Sequence, residues 1–439
     1  MESLYQIYQQ HPIVCTDSRA ITMGCLFFAL KGERFNGNLF ALQALDEGAA
    51  YAIVDDASLP AHPQLLYVDN VLVALQTIAR RHRRTLKIPV IAITGSNGKT
   101  TTKELIARVL ATRYKIGVTQ GNLNNHIGLP CTLLQMDAAT QIGIVEMGAN
   151  HVGEIAALCR IAEPDFGVIT NIGKAHLEGF GSLEGVKKTK SELYDFLTAQ
   201  AGTVFYNADN AILSEMVAVR ELHAIRYGAK ENAVQIIAPD AAHPFLRFIL
   251  PGYPAIETNL IGAYNTDNVL AALAIGKYFN VPAGAAATAI NTYVPENNRS
   301  QLIRTAHNTV IMDAYNANPS SMAAAIENFV QLPASNKMVI LGDMLELGPD
   351  AAMEHAAIID LIARSPVQNV WLVGRLFTQA AQNRYCCFDS VDAVKARLAA
   401  APLTGVTVLI KGSRGIGLDR LARELEMACG DCLNYDFVD

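Results

Sequence analysis

The sequence predicts an α/β protein built on parallel sheets. Short runs of β-branched and apolar residues alternate with helical patterns along the chain, which is typical of parallel strands joined by helices. The length of 439 residues is roughly two to four times that of a usual domain, so two or three domains are expected. Because 51% of the residues are apolar and only 17% are charged, each domain can bury a core, which excludes a disordered or fibrous chain.

The predicted elements are clearest in the middle and in the C-terminal third of the chain. A helix is expected at 103–110, because Leu105, Ile106, Val109 and Leu110 share one face. Buried strands are predicted at 88–94, 142–147, 167–171, 309–312, 337–341, 369–373 and 406–410. In the first 85 residues the apolar residues recur at shorter and mixed spacings, so the α/β pattern is less distinct there.

The charge balance argues against a nucleic-acid-binding protein. The chain carries 35 Lys and Arg against 41 Asp and Glu, a net charge of −6, so any anionic ligand must be held by a local site. The N-terminus has no basic segment followed by an apolar core, and no apolar run approaches the length of a membrane span. We therefore expect a cytoplasmic protein that binds no nucleic acid and does not insert into membranes, with its eight cysteines reduced.

Three further patterns each allow more than one interpretation. Cys429 and Cys432 have the spacing of a zinc or redox pair, but they lack a second suitable pair and follow the last helix, which favours inert thiols. The basic cluster at 80–84 fits either contact with a phosphate or acidic partner or, as we prefer, the solvated end of a helix. The charged segment at 187–192, taken alone, is likewise typical of a solvated helix face.

Residues 94–101, with the sequence Thr-Gly-Ser-Asn-Gly-Lys-Thr-Thr, give the strongest local signal. They follow a predicted strand and open a predicted helix, which is the context of a phosphate-binding loop. Glycines allow backbone N–H groups to surround phosphate oxygens, Lys99 can reach the β- and γ-phosphates, and a threonine hydroxyl can hold Mg²⁺. The loop is shorter than the usual Walker loop, because Ile93 stands where the first glycine would be. The segment predicts a nucleotide site.

Three carboxylates, Glu146, Asp313 and Asp343, follow predicted strands. Ligands of open α/β sheets gather at the carboxyl ends of the strands, and Mg²⁺ takes oxygen ligands, so each carboxylate is a candidate for binding a ligand or a metal. Each could instead cap the helix that follows. His176 also follows a strand, and on its own it is more typical of a hydrogen-bonded loop residue.

Taken together and in order, these segments resemble the motifs of the Mur ligases, ATP-dependent enzymes that form the amide bonds of peptidoglycan precursors. The matching segments in the first two thirds are 17–19, 26–32, 94–101, 146–148, 171–178 and 190–194. Residues 313–322, 341–348 and 411–415 resemble the members of the family that add D-alanyl-D-alanine to UDP-N-acetylmuramoyl-tripeptide. The sequence departs from the family pattern at Asn36, Asn38, Tyr264 and Met312.

The resemblance implies three domains. They are a small α/β domain at 1–86 that binds the UDP-sugar, a central P-loop domain with a parallel sheet at 87–297 that binds ATP, and a Rossmann-like domain at 298–439. It also implies two Mg²⁺ ions, an acyl phosphate intermediate, and UDP-N-acetylmuramoyl-tripeptide and D-Ala-D-Ala as substrates. We also expect a monomer. Whether the third residue of the tripeptide is meso-diaminopimelate or lysine stays open.

The resemblance also implies roles for individual residues. The implied catalytic residues are Lys99, Glu146, His176 and Lys190, with Lys190 carried as a carbamate. The implied Mg²⁺ ligands are Thr100, Glu146 and His176. The implied nucleotide contacts are Gly95, Asn97, Gly98, Lys99, Thr100, Thr101, Asn265, Asn268, Arg299 and Asp313. The implied substrate contacts are Ser18 and Arg19 for the UDP-sugar, Asn122, Asn124 and Asn125 for the muramyl peptide, and Tyr315, Asn316 and Asn318 for the dipeptide.

Other functions fit the residues less well. Another Mur-type or folylpolyglutamate-type ligase would share the ATP core, but segments 315–322 and 341–348 argue against it. A P-loop switch or motor normally has a Walker B strand that ends in Asp, and a GTPase has an Asn-Lys-x-Asp motif; the sequence shows neither. A binding protein without catalysis is disfavoured, because the set of implied catalytic residues is intact.

Overall fold

Three sheets made mainly of parallel strands organise the fold. They lie in three successive segments of the chain, near 2–86, 87–296 and 298–426, which we call its first, middle and last thirds. The computed structural model describes residues 2–240, 242–296 and 298–426. Cys429 and Cys432 lie outside the described residues, as does residue 297 at a predicted domain boundary. In the part of the chain that the structure describes, no helix combines the length and the apolar character needed to cross a membrane.

The first third contains a parallel sheet of four strands in the order β1-β2-β5-β6 and a small antiparallel hairpin, β3-β4. Its elements are α1 (Glu2–Gln10), β1 (Val14–Cys15), β2 (Leu26–Phe28), β3 (Lys31–Gly32), β4 (Phe35–Asn36), α2 (Ala41–Asp46), β5 (Tyr51–Val54), β6 (Leu65–Tyr67) and α3 (Val71–Leu86). Because the strands of this region are short, its hydrophobic periodicity is indistinct in the sequence.

The middle third contains a parallel sheet of six strands in the order β12-β11-β10-β7-β9-β8 and a small antiparallel sheet, β13-β14-β15. Its first elements are β7 (Val90–Thr94), α4 (Lys99–Ala111), β8 (Ile116–Val118), α5 (Gly128–Leu134), β9 (Ile142–Glu146), α6 (Glu154–Ala162), β10 (Phe166–Ile169), α7 (Leu177–Phe180) and α8 (Leu183–Ala199). They are followed by β11 (Thr203–Asn207), α9 (Ala211–Ala218), β12 (His223–Tyr227), β13 (Gln235–Ile237), β14 (Arg247–Ile249), β15 (Ile256–Glu257), α10 (Asn265–Tyr278) and α11 (Ala283–Asn291).

The last third contains a sheet in the order β16-β17-β21-β18-β19-β20, in which only the edge strand β16 is antiparallel to its neighbour. Its elements are β16 (Gln301–Arg304), β17 (Thr309–Asp313), α12 (Pro319–Gln331), β18 (Lys337–Gly342), α13 (Ala351–Ala363), β19 (Asn369–Val373), α14 (Arg375–Ala381), β20 (Cys386–Phe388), α15 (Val391–Ala400), β21 (Thr407–Lys411) and α16 (Ala422–Glu426). Every strand predicted from the sequence is present, with small shifts at the ends, and the predicted α/β fold is confirmed.

The central strands explain how the site is positioned. All residues of β7 and β9 are buried, because helices cover both faces of a parallel sheet. The two strands are neighbours in register, with Ile93 paired to Glu146, so their carboxyl ends emerge side by side. The phosphate loop and Glu146 therefore meet at one edge of the sheet, where open α/β sheets bind their ligands.

The basic cluster at 80–84 belongs to α3 and binds carboxylates of the middle third. Arg83 is buried and donates to the Ala162 carbonyl at 2.9 Å and to Asp165 at 2.7 Å. Arg80 and Arg84 pair with Glu163 at 2.7 and 2.6 Å. The cluster does lie at the end of a helix, as preferred, but that end is only partly solvated, because it packs beside the end of α6 and the carboxylates that follow it.

Segment 187–192 lies on α8, and it is also not a fully solvated face. Lys187 pairs with Glu215 at 3.1 Å on the surface, but Lys190 is only 1% exposed. The buried face of α8 includes Val186, Lys190 and Leu193, which lie three or four residues apart along the helix. A charged run in the sequence thus conceals one buried lysine.

Candidate active site

A cavity of about 690 Å³ lies where the carboxyl ends of the central strands face the last third of the chain. That volume is in the range of small-molecule sites. Most of the predicted site residues line it: Asn97, Gly98, Lys99, Thr100, Thr101, Asn122, Asn124, Asn125, Glu146, His176, Asn265, Asn268, Arg299, Asp313, Tyr315, Asn316 and Asn318. Residues more than two hundred positions apart in the sequence are therefore brought to one cavity.

The phosphate loop is shaped by two glycines and fixed by Asn171. Gly95 has φ +139°, and a Cβ atom there would lie 2.0 Å from the Thr170 hydroxyl, so only glycine fits. Gly98, with φ +77°, precedes α4 in the left-handed conformation. The side chain of Asn171 accepts from the Asn97 N–H and donates to the Asn97 carbonyl, both at 3.0 Å. The loop is thus held in place before any ligand binds.

Lys99 is the first residue of α4 and folds back over the phosphate loop. Its ammonium donates to the carbonyls of Gly95 at 2.7 Å and Ser96 at 3.2 Å. Burial lowers the pKa of Lys99, an effect that the nearby Glu146 opposes and Arg299 reinforces. A phosphate group in the loop would replace these carbonyls as a stronger acceptor and stabilise the charged form.

Glu146 ends β9 and is 2% exposed, with partners on both carboxylate oxygens. Oε2 accepts from the Thr100 hydroxyl at 2.9 Å, and Oε1 accepts from the Asn124 amide at 2.8 Å. The ammonium of Lys103 lies 3.9 Å from Oε2. Glu146 therefore connects the phosphate loop to the segment that contains Asn124, and its charge is balanced by a buried lysine.

Asn268 and Asn265, at the start of α10, lie beside the opposite side of the phosphate loop. Asn268 accepts from the Thr102 hydroxyl at 3.0 Å and donates to Asn265 at 2.8 Å. A Cβ atom on Gly98 would lie 2.7 Å from the Asn268 oxygen, so the loop and α10 are in close contact. The neighbouring Tyr264 lines the cavity, and its hydroxyl pairs with Ser300 at 2.9 Å.

The last third contributes a charged group at the end of β17. Asp313 accepts from the Lys411 ammonium at 2.6 Å and from the Ser300 N–H at 3.1 Å. The guanidinium carbon of Arg299 lies 3.7 Å from the centroid of the Tyr315 ring. The segment after residue 298 is thereby fixed to the end of β17 and to the ring that follows it.

Three contacts close the cavity between the middle and last thirds. The Asn318 amide donates to the Asn97 side chain at 2.7 Å, and the Ser320 hydroxyl accepts from the Lys174 N–H at 3.0 Å. His176 Nδ1 lies 2.5 Å from a carboxylate oxygen of Glu346, and this hydrogen bond lowers the pKa of Glu346. His176 itself has φ +51°. The structure thus has the last third docked against the phosphate loop.

The predicted site residues outside the described lining of the cavity are Ser18, Arg19, Gly95 and Lys190. Arg19 is exposed near the N-terminal sheet and pairs with Asp17 at 2.7 Å, which lowers the pKa of Asp17 to about 2. Lys190 lies with its ammonium 5.3 Å from the centroid of the Phe180 ring. Burial, reinforced by the charge of Lys99, lowers the pKa of Lys190 to about 7.

Comparison with known families and proteins agrees with this architecture. Residues 12–87 match the Mur ligase family catalytic domain, 93–276 the Mur ligase middle domain, and 298–414 the Mur ligase glutamate ligase domain. The chain is 36% identical to UDP-N-acetylmuramoyl-tripeptide–D-alanyl-D-alanine ligase of Bacillus subtilis, with 95% of this chain and 94% of the relative covered. The chain belongs to the Mur ligase family.

A second relative of this Mur ligase has the same name, and a solved structure also matches the chain over most of its length. The enzyme of Escherichia coli is 32% identical, with 94% of this chain and 93% of the relative covered. The crystal structure of MurF from Acinetobacter baumannii superposes with a TM-score of 0.84 at 28% identity, covering 96% of this chain and 98% of that one. The expected three-domain Mur ligase architecture is confirmed.

One strand-end carboxylate of this Mur ligase binds the start of a helix outside the described cavity lining. Asp343 follows β18 and accepts from the N–H groups of Leu376 and Phe377, at 2.9 and 2.8 Å, in the first turn of α14. It is 5% exposed and is not part of the cavity lining among the described residues. The structure thus has Asp343 cap a helix, but the helix is α14 and not α13, which is the next α-helix after β18 and the one that the sequence suggested.

The donor set of the Mur ligase cavity suits a hard cation. The described residues contain no group of three or more His, Cys, Asp or Glu side chains placed to hold a metal. Thr100 and Glu146 instead place one hydroxyl and one carboxylate beside the phosphate loop, 2.9 Å apart. Mg²⁺ usually takes one or two protein oxygens and completes its shell with water and substrate phosphates, so this pair fits it.

Sequence reasoning missed Lys103 and Lys411, the two buried lysines that pair with carboxylates at the site. Lys103 is 2% exposed and donates to the Thr119 carbonyl at 2.7 Å. It follows Lys99 by four residues and so lies on the same face of α4, a spacing that could have indicated its position. Lys411 ends β21, the strand beside β17, and is in register with Asp313, a pairing that no local sequence signal indicates.

Proposed function

We propose that this Mur ligase uses ATP to join D-alanyl-D-alanine to UDP-N-acetylmuramoyl-tripeptide, the reaction for which its relatives are named. The observation that carries the proposal is the cavity itself. It combines a phosphate loop with Lys99, an anchored Glu146, and polar side chains of the last third, among them Asn316 and Asn318, that face the loop. A nucleotide and two further substrates would meet at one place.

Binding of the nucleotide would rest on the phosphate loop and on α10. The loop amides and the start of α4 offer N–H donors to the phosphates, and Lys99 would move from its carbonyl partners to the β- and γ-phosphates. Asn265, Asn268 and the Tyr264 ring would border the adenine, and Arg299 with Asp313 would contact the nucleotide from the other side. The backbone of the loop is already fixed by Asn171, and Asn268 packs closely against Gly98.

Thr100 and Glu146 would hold Mg²⁺, with His176 near a second ion after release from Glu346. The cation supplies charge neutralisation for the phosphates and for the carboxylate that approaches them. Asn124 and Lys103 keep the Glu146 carboxylate in place for this role. The other residues of its segment, Asn122 and Asn125, would contact the muramyl peptide.

The reaction would proceed in two steps. The terminal carboxylate of the tripeptide attacks the γ-phosphorus of ATP, forming an acyl phosphate and releasing ADP. The amine of the dipeptide then attacks the acyl carbonyl, the amide forms, and phosphate leaves with one oxygen of the former carboxylate while the amine loses a proton. Lys99 and the loop amides stabilise the transferred phosphoryl group, and the docked last third excludes water from the acyl phosphate.

Lys190 would act as a carbamate. Carbamate formation needs a neutral amine, and burial lowers the pKa of Lys190 to about 7, so a substantial fraction is neutral near pH 7. Addition of CO₂ to the neutral amine, with release of one proton, would place an anion near Lys99 in place of the ammonium form, which converts repulsion into attraction. A ¹³C NMR carbamate signal after addition of ¹³C-bicarbonate, absent in Lys190→Ala, is the expected result; identical spectra would rule the carbamate out.

The UDP-sugar would bind the N-terminal domain near Ser18 and Arg19, where Arg19 would exchange Asp17 for a phosphate. We further propose that the protein acts in the cytoplasm as a monomer. We also propose domain boundaries near 86 and 297, which are supported by the matched family segments that end at residue 87 and begin at residue 298.

Phosphate release with each substrate omitted in turn tests the proposed function. We expect release only when ATP, UDP-N-acetylmuramoyl-tripeptide and D-Ala-D-Ala are all present. Release that does not depend on D-Ala-D-Ala would indicate an ATPase, and release with a folate-type acceptor instead would indicate another ligase. Parallel reactions with tripeptides ending in meso-diaminopimelate or lysine would show which one is used.

A further inference from the structure

Arg414 follows the last strand of the C-terminal sheet and approaches a ring of the cavity wall. Its guanidinium carbon lies 5.4 Å from the centroid of the Tyr315 ring, and Tyr315 lines the cavity. Arg299 lies over the same ring at 3.7 Å. Two guanidinium groups therefore approach one aromatic side chain at the wall formed by the last third.

The backbone that carries Arg414 is fixed, although its side chain is exposed. The preceding Ser413 is buried, and its hydroxyl accepts from the Leu345 N–H at 2.9 Å. The Ser413 N–H donates to the Asp343 carbonyl at 3.2 Å, and the Gly417 N–H donates to the Arg414 carbonyl at 3.0 Å. The cation is thus presented from a rigid turn, which reduces the entropy lost when it binds a ligand.

Two lysines near this wall are already ion-paired. Lys411 pairs with Asp313 at 2.6 Å, and Lys174 pairs with Glu354 at 2.5 Å. Within residues 2–240, 242–296 and 298–426, neither Arg414 nor Arg299 forms an ion pair. These two arginines are the cations beside Tyr315 that have charge to offer a ligand.

We propose that Arg414 binds the carboxylate of the incoming dipeptide and so makes the ligase selective for an acceptor with a free C-terminus. This inference rests on the proposed function. A dipeptide spans about 7 Å, so its amine can lie in the cavity beside Tyr315 while its carboxylate reaches the exposed guanidinium. A guanidinium binds a carboxylate through two parallel N–H bonds, which gives orientation as well as affinity. Arg299 is half-buried and remains for the nucleotide.

The test compares D-Ala-D-Ala with D-alanyl-D-alaninamide, which lacks the negative charge, in the full-length protein. For the wild type, we expect KM for the amide to exceed KM for the dipeptide by about 10- to 100-fold. In Arg414→Ala, KM for the dipeptide rises to that of the amide, while KM for the amide, for ATP and for the tripeptide substrate stays close to the wild-type values. Arg414→Lys should give a KM for the dipeptide between those of the wild type and Arg414→Ala, because lysine keeps the positive charge but cannot form the two parallel N–H bonds of a guanidinium.

Arg420→Ala is the matched control, because Arg420 is also an exposed arginine after β21 but pairs with Asp392. It should keep the wild-type preference for the dipeptide. An Arg414→Ala enzyme that still discriminates between dipeptide and amide, or whose KM for ATP rises instead, overturns the assignment of Arg414. A wild-type protein that shows no phosphate release dependent on D-Ala-D-Ala overturns the proposed function itself, so the two failures are distinguishable.

Discussion

Asn318 donates a hydrogen bond from its side-chain amide to the side-chain oxygen of Asn97 over 2.7 Å. Asn97 belongs to the phosphate loop, and Asn318 immediately precedes α12 in the C-terminal domain. The oxygen of Asn318 also accepts from the Ser321 N–H at 2.9 Å, and the Ser321 hydroxyl accepts from the Asn318 N–H at 3.1 Å, which completes a capping box. One side chain therefore begins a helix and couples its domain to the nucleotide site.

Asn318→Ser separates these two roles. Serine caps helices about as well as asparagine, so the free energy of unfolding should change by less than about 0.5 kcal/mol. The bond to Asn97 is lost, and kcat/KM for ATP should fall about three- to tenfold. Denaturant unfolding and steady-state kinetics measure both quantities. Ser321→Ala is the complementary control, with a weakened cap and near-wild-type kinetics; the opposite pattern would contradict the coupling.

Glu146→Gln removes the carboxylate beside the phosphate loop without changing its size. We expect kcat to fall by about 100-fold or more, and the Mg²⁺ concentration needed for half-maximal activity to rise. A titration of activity against Mg²⁺ checks this. Asp343→Asn serves as the control, since Asp343 caps α14, and should lower stability by about 1 kcal/mol with unchanged kinetics. A wild-type Mg²⁺ response in Glu146→Gln would argue against its role as a ligand.

The buried Lys190 predicts a pH-dependent stability. Burial lowers its pKa in the folded protein from the ordinary value of 10.5 to about 7. Between these values the unfolded chain binds the proton and the folded chain does not, so the stability of the wild type rises with pH across that window. Below about pH 7 both states are protonated, and the cost of burying the charge is fully present.

Lys190→Met removes this contribution. In CO₂-free buffer, the variant should exceed the wild type in unfolding free energy by a few kcal/mol near pH 6, and the difference should shrink by about 1.4 kcal/mol per pH unit above pH 7. Denaturant unfolding at several pH values measures the difference. A difference that is constant with pH would show that the lysine is not desolvated.

Arg83 is the buried arginine of the basic cluster, and its removal should lower the free energy of unfolding more than removal of an exposed neighbour. It is buried and bonds Asp165 and two carbonyls, so Arg83→Ala leaves several acceptors without a donor and should cost about 3 kcal/mol of unfolding free energy. Arg81 lies two residues earlier on the exposed side of α3 and pairs with Glu2, so Arg81→Ala should cost less than about 1 kcal/mol. Equal costs in thermal or denaturant unfolding would contradict this distinction.

The fold and much of the cavity could be predicted because their signals are local. Parallel strands appear as short apolar runs, and the phosphate loop appears as a glycine-rich turn between a strand and a helix. The strand-end position of Glu146 also follows from the sequence, since β9 ends there.

The remaining contacts depend on how distant segments pack. Glu146 and Asp343 look alike in the sequence, and only the position of α14 makes one of them a helix cap. The pairs of Lys103 with Glu146 and of Lys411 with Asp313 likewise form between separate elements. The buried side of α3 was missed for the same reason, because its acidic partners come from the end of α6 and the residues after it.

In the proposed reaction, the tripeptide carboxylate is activated as an acyl phosphate in this cavity. UDP-N-acetylmuramoyl-tripeptide whose terminal carboxylate carries ¹⁸O in both positions would reveal this step. Mass spectrometry of the products should show one ¹⁸O atom in the released phosphate and the other in the amide of the UDP-muramoyl-pentapeptide. Phosphate without ¹⁸O, formed together with the pentapeptide or without it, would show that the carboxylate is not phosphorylated.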